Sequence, residues 1–231
     1  MDIDALIEFD KQLLLAVNGS DSLFIDGMAM VLTKAATWIP LYLSLLYVVI
    51  KNNHSLWKVL LIIACAGLCV FFAGALDDWL VKPNVARWRP THDPEIGMLV
   101  DTVNDYRGGN YGFFSAHASN TFSIAIFFTL LIRNRVLTVF LIAWSLLNCW
   151  TRMYLGVHYP GDILVGLLWG GTVGTCIWML HQKIVKRWLT ENTYVSEQYT
   201  SSGYLRKDCL VVLYVLGLTL VYAVIRAFFY F

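Results

Sequence analysis

The chain has 231 residues, of which 58% are hydrophobic and only 14% charged, with a formal net charge of +1 and a mean hydropathy of +0.61. A soluble domain carries about a quarter charged residues, so this composition excludes one. The apolar stretches are long enough to span lipid, which takes roughly 20 residues each.

The N-terminus carries Asp2, Asp4, Glu8 and Asp10, where a cleaved signal peptide would be positively charged; no such peptide is expected. Ile3, Leu6, Ile7, Leu13, Leu14 and Val17 recur near helical spacing between these acids. That pattern predicts an amphipathic helix lying in the membrane interface. Spans are then predicted at Ala29–Ile50, Leu56–Leu76, Ala118–Ile132, Val136–Trp150, Ile163–Leu180 and Leu210–Phe228. Lys34 falls inside the first, near its outer end, and is expected to snorkel to the surface. Only Arg133-Asn134-Arg135 joins the third and fourth, which predicts a tight helical hairpin. The stretch Thr190–Asp208 is polar and reads as a linker. The expected fold is an all-α integral membrane protein, a bundle of about six transmembrane helices with an N-terminal interfacial amphipathic helix. Its expected parts are the interfacial segment 1–28, a membrane core 29–187, a cytoplasmic linker 188–208 and a final helix 209–231.

Charge sets the expected orientation. With six spans, the loops around 51–58, 133–135 and 181–208 share one side and hold nine of the 17 Lys and Arg residues but three of the 16 acids. Positive charge marks the cytoplasmic side. The opposite side, with the polar clusters described next, is then periplasmic in a bacterial inner membrane. Cys65, Cys69, Cys149 and Cys176 fall inside spans and Cys209 begins the last, so neither a disulfide framework nor a metal site is implied.

Three clusters on the outer side carry the chemistry: KPNVARWRP from Lys82, FFSAHAS around Ser115, and TRMYLGVHYPGD from Thr151. Lys82 and Arg89 are seven residues apart, two helical turns, so on a helix they would share a face, with Pro90 ending it. A guanidinium fork and a compact ammonium suit phosphate oxygens. Arg87 between them reads as an interfacial snorkelling side chain. Ser115, Ala116 and His117 stand just before a span, where unpaired backbone N–H groups favour anions; Ser115 also reads simply as an N-cap. In the third cluster Arg152 adds a cation, and Asp162 is placed to reach back to His158 across Pro160-Gly161. A carboxylate on one imidazole nitrogen fixes the tautomer and raises the basicity of the other. Asp162 as a plain helix cap and His158 as an interfacial histidine explain the pair equally well in isolation.

Together the clusters resemble the type 2 phosphatidic acid phosphatase superfamily, whose pattern is K-x6-RP, PSGH and SR-x5-H-x3-D. The match runs from Lys82 to Asp162, with Phe114 and Ala116 replacing the Pro and Gly of PSGH and Thr151 the Ser of SR. The resemblance implies a metal-independent phosphatase without a cofactor. His158 would be the nucleophile, oriented by Asp162, and His117 the general acid and then base. Lys82, Arg89, Ser115, Ala116 and Arg152 would hold the phosphate.

It further implies a membrane lipid phosphate as substrate: lipid A, undecaprenyl pyrophosphate, phosphatidylglycerol phosphate or phosphatidic acid. The loop Thr91–Gly112 is the expected selector, with Asp105, Arg107 and Tyr111 as its candidate contacts. Its acids Asp93, Glu95, Asp101 and Asp105 stand against one arginine, Arg107, which suits sugar hydroxyls of a glycolipid and mildly favours lipid A; the same acids read equally well as solvating the loop or pairing with Arg107. Its THDPEI…YRGG run also looks like Bacteroidetes-type members of the family proposed to act there. No nucleic acid and no protein partner is implied. A non-catalytic transporter or lipid-phosphate binder would use the same cations, but it has no need of the His158–Asp162 pair, and transporters often show broken helices near mid-membrane.

Overall fold

In this computed structural model the structure describes residues 3–188 and 197–231. Those residues form helices, without a named strand. They are α1 (Ile3–Val17), α2 (Leu23–Leu32), α3 (Ile39–Asn52), α4 (Leu56–Val70), α5 (Lys82–Val85), α6 (Ala116–Ile132), α7 (Arg135–Tyr154), α8 (Pro160–Trp188) and α9 (Arg206–Phe228). Five segments are long and apolar enough to cross a membrane: Ala35–Asn52, Leu56–Val85, Arg135–Tyr154, Pro160–Arg187 and Arg206–Phe228. The chain is a multi-pass helical membrane bundle. Helix α6, with 17 residues, is shorter, about 26 Å long. Buried residues surround it on every side, which marks it as the central helix.

The first predicted span is not one helix. Its N-terminal part lies in α2, the chain breaks at Thr33 and Lys34, and a 3₁₀ turn at Ala35–Trp38 leads into α3. The break is held by hydrogen bonds from Thr37 Oγ1 to the Val31 carbonyl (2.6 Å) and from Trp38 Nε1 to the Leu32 carbonyl (2.8 Å). It buries Thr33 while leaving Lys34 exposed, with Nζ donating to Tyr230 Oη at 3.2 Å. The second predicted span runs longer than its apolar residues. From Leu56 the helix passes through π-helical turns at Phe71–Ala75 and Asp77–Val81 and stops at Val85. Two carbonyls of the first π turn bond to neighbouring helices: Ser119 Oγ donates to Ala73 O (2.8 Å) and Trp169 Nε1 to Phe72 O (3.0 Å). The expected hairpin is present, with Arg133 in the left-handed conformation and Asn134 capping α7.

Helices α6 and α8 form the closest seam of the bundle. Gly166, Gly170 and Gly174 of α8 face Ser115, Ser119 and Ser123 of α6 at matching four-residue steps. A Cβ built on them would stand 2.8, 2.4 and 2.5 Å from the three serine carbonyl oxygens. Small residues at every fourth position let helix backbones approach, the packing that association in lipid favours. Helix α9 packs on α2 and α3. At the far end of the bundle Asn52 Oδ1 accepts from Leu205 N–H (2.7 Å) and Asn53 Nδ2 donates to Tyr204 Oη (3.2 Å). Of the linker expected at 188–208, residues 189–196 lie outside the described residues.

Replacing Gly170 by Leu forces backbone apart along the seam. It should destabilise the protein by about 1–3 kcal/mol, seen as a lower Tm in detergent; an unchanged Tm would mean the seam is not tightly packed.

Candidate active site

All three motif clusters meet at one end of the bundle. The N-termini of α6 and α8 are joined directly, because Ser115 N–H donates to the Asp162 carbonyl at 3.1 Å, and the C-terminus of α7 leads into α8 through the short loop that carries His158. Ser115 is fully buried and caps α6, its Oγ accepting from Ala118 N–H at 3.4 Å. Ala116 begins α6, so its N–H is among those without an intrahelical partner. His117 follows, beside the Thr33 backbone and within the field of Arg152, His158 and Lys82.

The cations arrive by routes the sequence did not give. Lys82 and Arg89 do not share a helix: α5 ends at Val85, Ala86 adopts the left-handed conformation, and Arg89 lies in extended chain, with Pro90 opening a short 3₁₀ turn. Lys82 pairs with fully buried Asp77 at 2.9 Å and also with Asp78; Asp77 Oδ1 in turn accepts from Phe114 N–H at 3.2 Å. Arg89 is 9% exposed and donates to the carbonyls of Tyr111 and Val157, each at 3.1 Å. Its Nη1 also stands 3.2 Å from His158 Nε2. Arg152, 3% exposed, donates through Nη1 to Thr33 Oγ1 (2.5 Å) and Tyr106 Oη (3.0 Å).

That contact between Arg89 and His158 settles the tautomer. A guanidinium only donates, so Nε2 accepts and the ring proton of the neutral imidazole sits on Nδ1. Gly112 passes close to this face, where a Cβ would lie 3.5 Å from Nδ1 and 3.4 Å from Asp162 Oδ2. Asp162 Oδ2 is 3.6 Å from Nδ1, farther than a hydrogen bond. The carboxylate is instead held by Arg87 Nη1 on Oδ1 (2.6 Å) and by Tyr159 N–H on Oδ2 (3.0 Å). Burial, then the positive charges of Arg89, Arg152 and Lys82, lower the His158 pKa well below the usual imidazole value.

Arg87 does not snorkel outward as expected. Its side chain bridges Asp162 and Asp10 (2.7 Å) and lies 4.3 Å over the Tyr159 ring. Burial works against its charge, but the two carboxylates outweigh that and raise its pKa. Asp10, Asp77, Thr33 and Tyr106 are polar contacts of the site that the motif reading missed. Asp77 offered a signal, an acid at the end of an apolar run; Asp10 looked like any acid on the polar face of α1.

In the Thr91–Gly112 loop, two of the acids clamp structure together. Asp93 Oδ2 accepts from Tyr159 Oη at 2.6 Å, and Glu95 pairs with Lys11 of α1. Asp105 and Arg107 are exposed, and Arg107 forms no ion pair among the described residues. Tyr111 packs at a tilt against Trp88 with ring centroids 5.1 Å apart.

Buried cations around an imidazole whose lone pair is met only by an arginine can bind a phosphate and attack it. Residues 32–186 match the model of the PAP2 superfamily. The chain belongs to this family. It is a membrane phosphatase, and the three sequence clusters lie within the matched residues. Among the similar proteins, a lipid A 4'-phosphatase of Bacteroides thetaiotaomicron is 42% identical over 80% of this chain and 82% of its own length. A lipid A 4'-phosphatase of Porphyromonas gingivalis is 30% identical over 81% and 79%. A decaprenylphosphoryl-5-phosphoribose phosphatase of Mycobacterium tuberculosis is 38% identical over 48% and 57%. No solved structure gives a significant match.

A lowered pKa keeps His158 neutral. Resolved histidine NMR signals should show its ring uncharged, with the proton on Nδ1, as pH falls through about 6.5, where an unperturbed imidazole charges. Protonation at that pH would contradict the site described.

Proposed function

We propose that this PAP2 phosphatase removes a phosphate from lipid A, at the 4′ position named for its relatives, on the periplasmic face of a bacterial inner membrane. The observation that carries the mechanism is the 3.2 Å contact of Arg89 with His158 Nε2. It aims the imidazole lone pair at the point where a phosphate held by Arg89 would sit.

An entering phosphate displaces the Arg89–His158 contact and takes the guanidinium for its own oxygens. Lys82 and Arg152, with the Ala116 N–H and Ser115, complete the cage around the equatorial oxygens, where charge gathers in the transition state. Nε2 attacks phosphorus, a P–N bond forms and the P–O bond to the lipid breaks. His117, protonated in the field of the bound phosphate, gives its proton to the departing oxygen. Water then attacks the phosphohistidine, His117 takes the water's proton, the P–N bond breaks and inorganic phosphate leaves. Asp162 beside Nδ1 stabilises the positive imidazole formed on attack.

Two observations support lipid A and the outer face. Both relatives that match most of this chain's length carry that substrate in their names. The loop ends at Asn52–Asn53, Ile132 and Ser202–Leu205 meet at the end of the bundle opposite His158. The Lys- and Arg-rich loops cluster there, which supports a cytoplasmic placement of that end.

Purified protein in detergent with EDTA should release phosphate from lipid A in preference to undecaprenyl pyrophosphate, phosphatidylglycerol phosphate and phosphatidic acid. His158→Ala should lower kcat by roughly 10⁴-fold or more, and His117→Ala by about 10²–10⁴-fold. Mass spectrometry of the product reads which phosphate was lost; preference for another lipid would overturn the substrate. For orientation, an alkaline phosphatase fused after Gly109 should be active in cells and one fused after Asn134 inactive, the reverse result placing the site in the cytoplasm.

A further inference from the structure

A cation that this mechanism leaves unused touches the nucleophile's partner. Arg87 belongs to none of the motif positions, yet its guanidinium donates to Asp162 Oδ1 at 2.6 Å and to Asp10 Oδ2 at 2.7 Å. Its side chain is only 27% exposed and lies over the Tyr159 ring, one residue from His158. An arginine serving as a surface anchor would carry its charge out to water; this one carries it inward. Asp10 holds the other half of the arrangement, because its Oδ1 accepts from Gly161 N–H at 2.7 Å, the residue before Asp162.

We propose that Arg87 is a positioning residue that aims Asp162 at His158, and that Asp10 makes the N-terminal helix a working part of the active site. The reading rests on His158 as the nucleophile. Asp162 has no exposure to water. With Arg87 on Oδ1 and Tyr159 N–H on Oδ2, one orientation is left, with Oδ2 facing Nδ1. Without Arg87 the buried carboxylate loses its counter-charge and either turns away or takes up a proton. Both outcomes weaken its support for the imidazolium-like His158 of the transition state. Asp10 fixes the guanidinium and the start of α8 together. Further contacts hold its helix in place: Lys11 pairs with Glu95, and Asn18 bonds the Tyr154 carbonyl (2.8 Å) and Asp101 N–H (2.7 Å).

The test is steady-state kinetics of purified full-length Arg87→Ala, Arg87→Lys, Asp10→Ala, Asp10→Asn and the Arg87→Ala/Asp10→Ala double variant, with His158→Ala alongside. Arg87→Ala should lose about 100-fold in kcat, the scale of a misaligned catalytic group. Inhibition by inorganic phosphate should stay unchanged, because Lys82, Arg89 and Arg152 are untouched. The acidic limb of its kcat/KM profile should move to higher pH, since Asp162 protonates more readily and His158 loses a nearby positive charge. Arg87→Lys should recover part of the loss, being able to reach one carboxylate but not both. Asp10→Ala and Asp10→Asn should lower kcat less than Arg87→Ala, and the double variant should be no worse than Arg87→Ala alone. Full kcat in Arg87→Ala beside an inactive His158→Ala would overturn this inference alone. Parallel loss of phosphate inhibition would make Arg87 a phosphate ligand instead, and additive losses would separate Asp10 from it. An active His158→Ala would overturn the mechanism beneath as well. If Arg87→Ala fails to fold, Arg87→Lys and Asp10→Asn carry the same comparison.

Discussion

The close approach of α6 and α8 is the constraint on which the rest of the structure depends. Three glycines of α8 stand against three serine carbonyls of α6 with no room for a Cβ. In lipid there is little hydrophobic gain from pressing two apolar helices together, so such contacts rest on packing and backbone proximity. The seam ends at the active site, where Gly166 meets Ser115 and the Ser115 N–H meets the Asp162 carbonyl. The cap of α6 and the carboxylate of α8 are thus placed by main chain rather than by flexible side chains. Precision at the phosphate site is inherited from the helix pair.

Electrostatic balance is the second requirement. Cations held nearly dry around one imidazole repel one another, and each is steadied by partners of its own. Lys82 has Asp77 and Asp78, Arg87 has Asp162 and Asp10, Arg152 has Thr33 and Tyr106, and Arg89 has two carbonyls. Thr33, which meets Arg152, stands where the first apolar stretch breaks. The break that looks like a defect in a membrane span is what brings a hydroxyl to a buried guanidinium.

Much of this could be read in the amino-acid order. Apolar length is nearly decisive for a helix in lipid, because every backbone polar group must be satisfied within the segment; the hairpin at Arg133–Asn134 and the helices on either side follow from it. The site residues were legible as types at fixed spacing. Their connections were not. Seven residues between Lys82 and Arg89 suggested two turns of helix, but a left-handed Ala86 turns the chain between them. Arg87 looked like an interfacial side chain because its partners lie in segments far away in sequence, Asp10 and Asp162. Nor did the apolar run at Ala29–Ile50 disclose its break, since Thr37 and Trp38 make the compensating bonds only once folded. The four-residue spacing of Gly166, Gly170 and Gly174 was readable in advance, and hydropathy alone passes over it.

The bond between Arg89 and His158 Nε2 has a consequence for the resting protein. An imidazole buried and already accepting a hydrogen bond offers no open lone pair to stray copper or zinc, nor to reactive electrophiles in its surroundings. Only an anion able to draw the guanidinium aside exposes the nitrogen. On the proposed mechanism, the group that recognises phosphate is also the guard on the nucleophile, and a single side chain couples arrival of the right ligand to the first moment at which chemistry is possible.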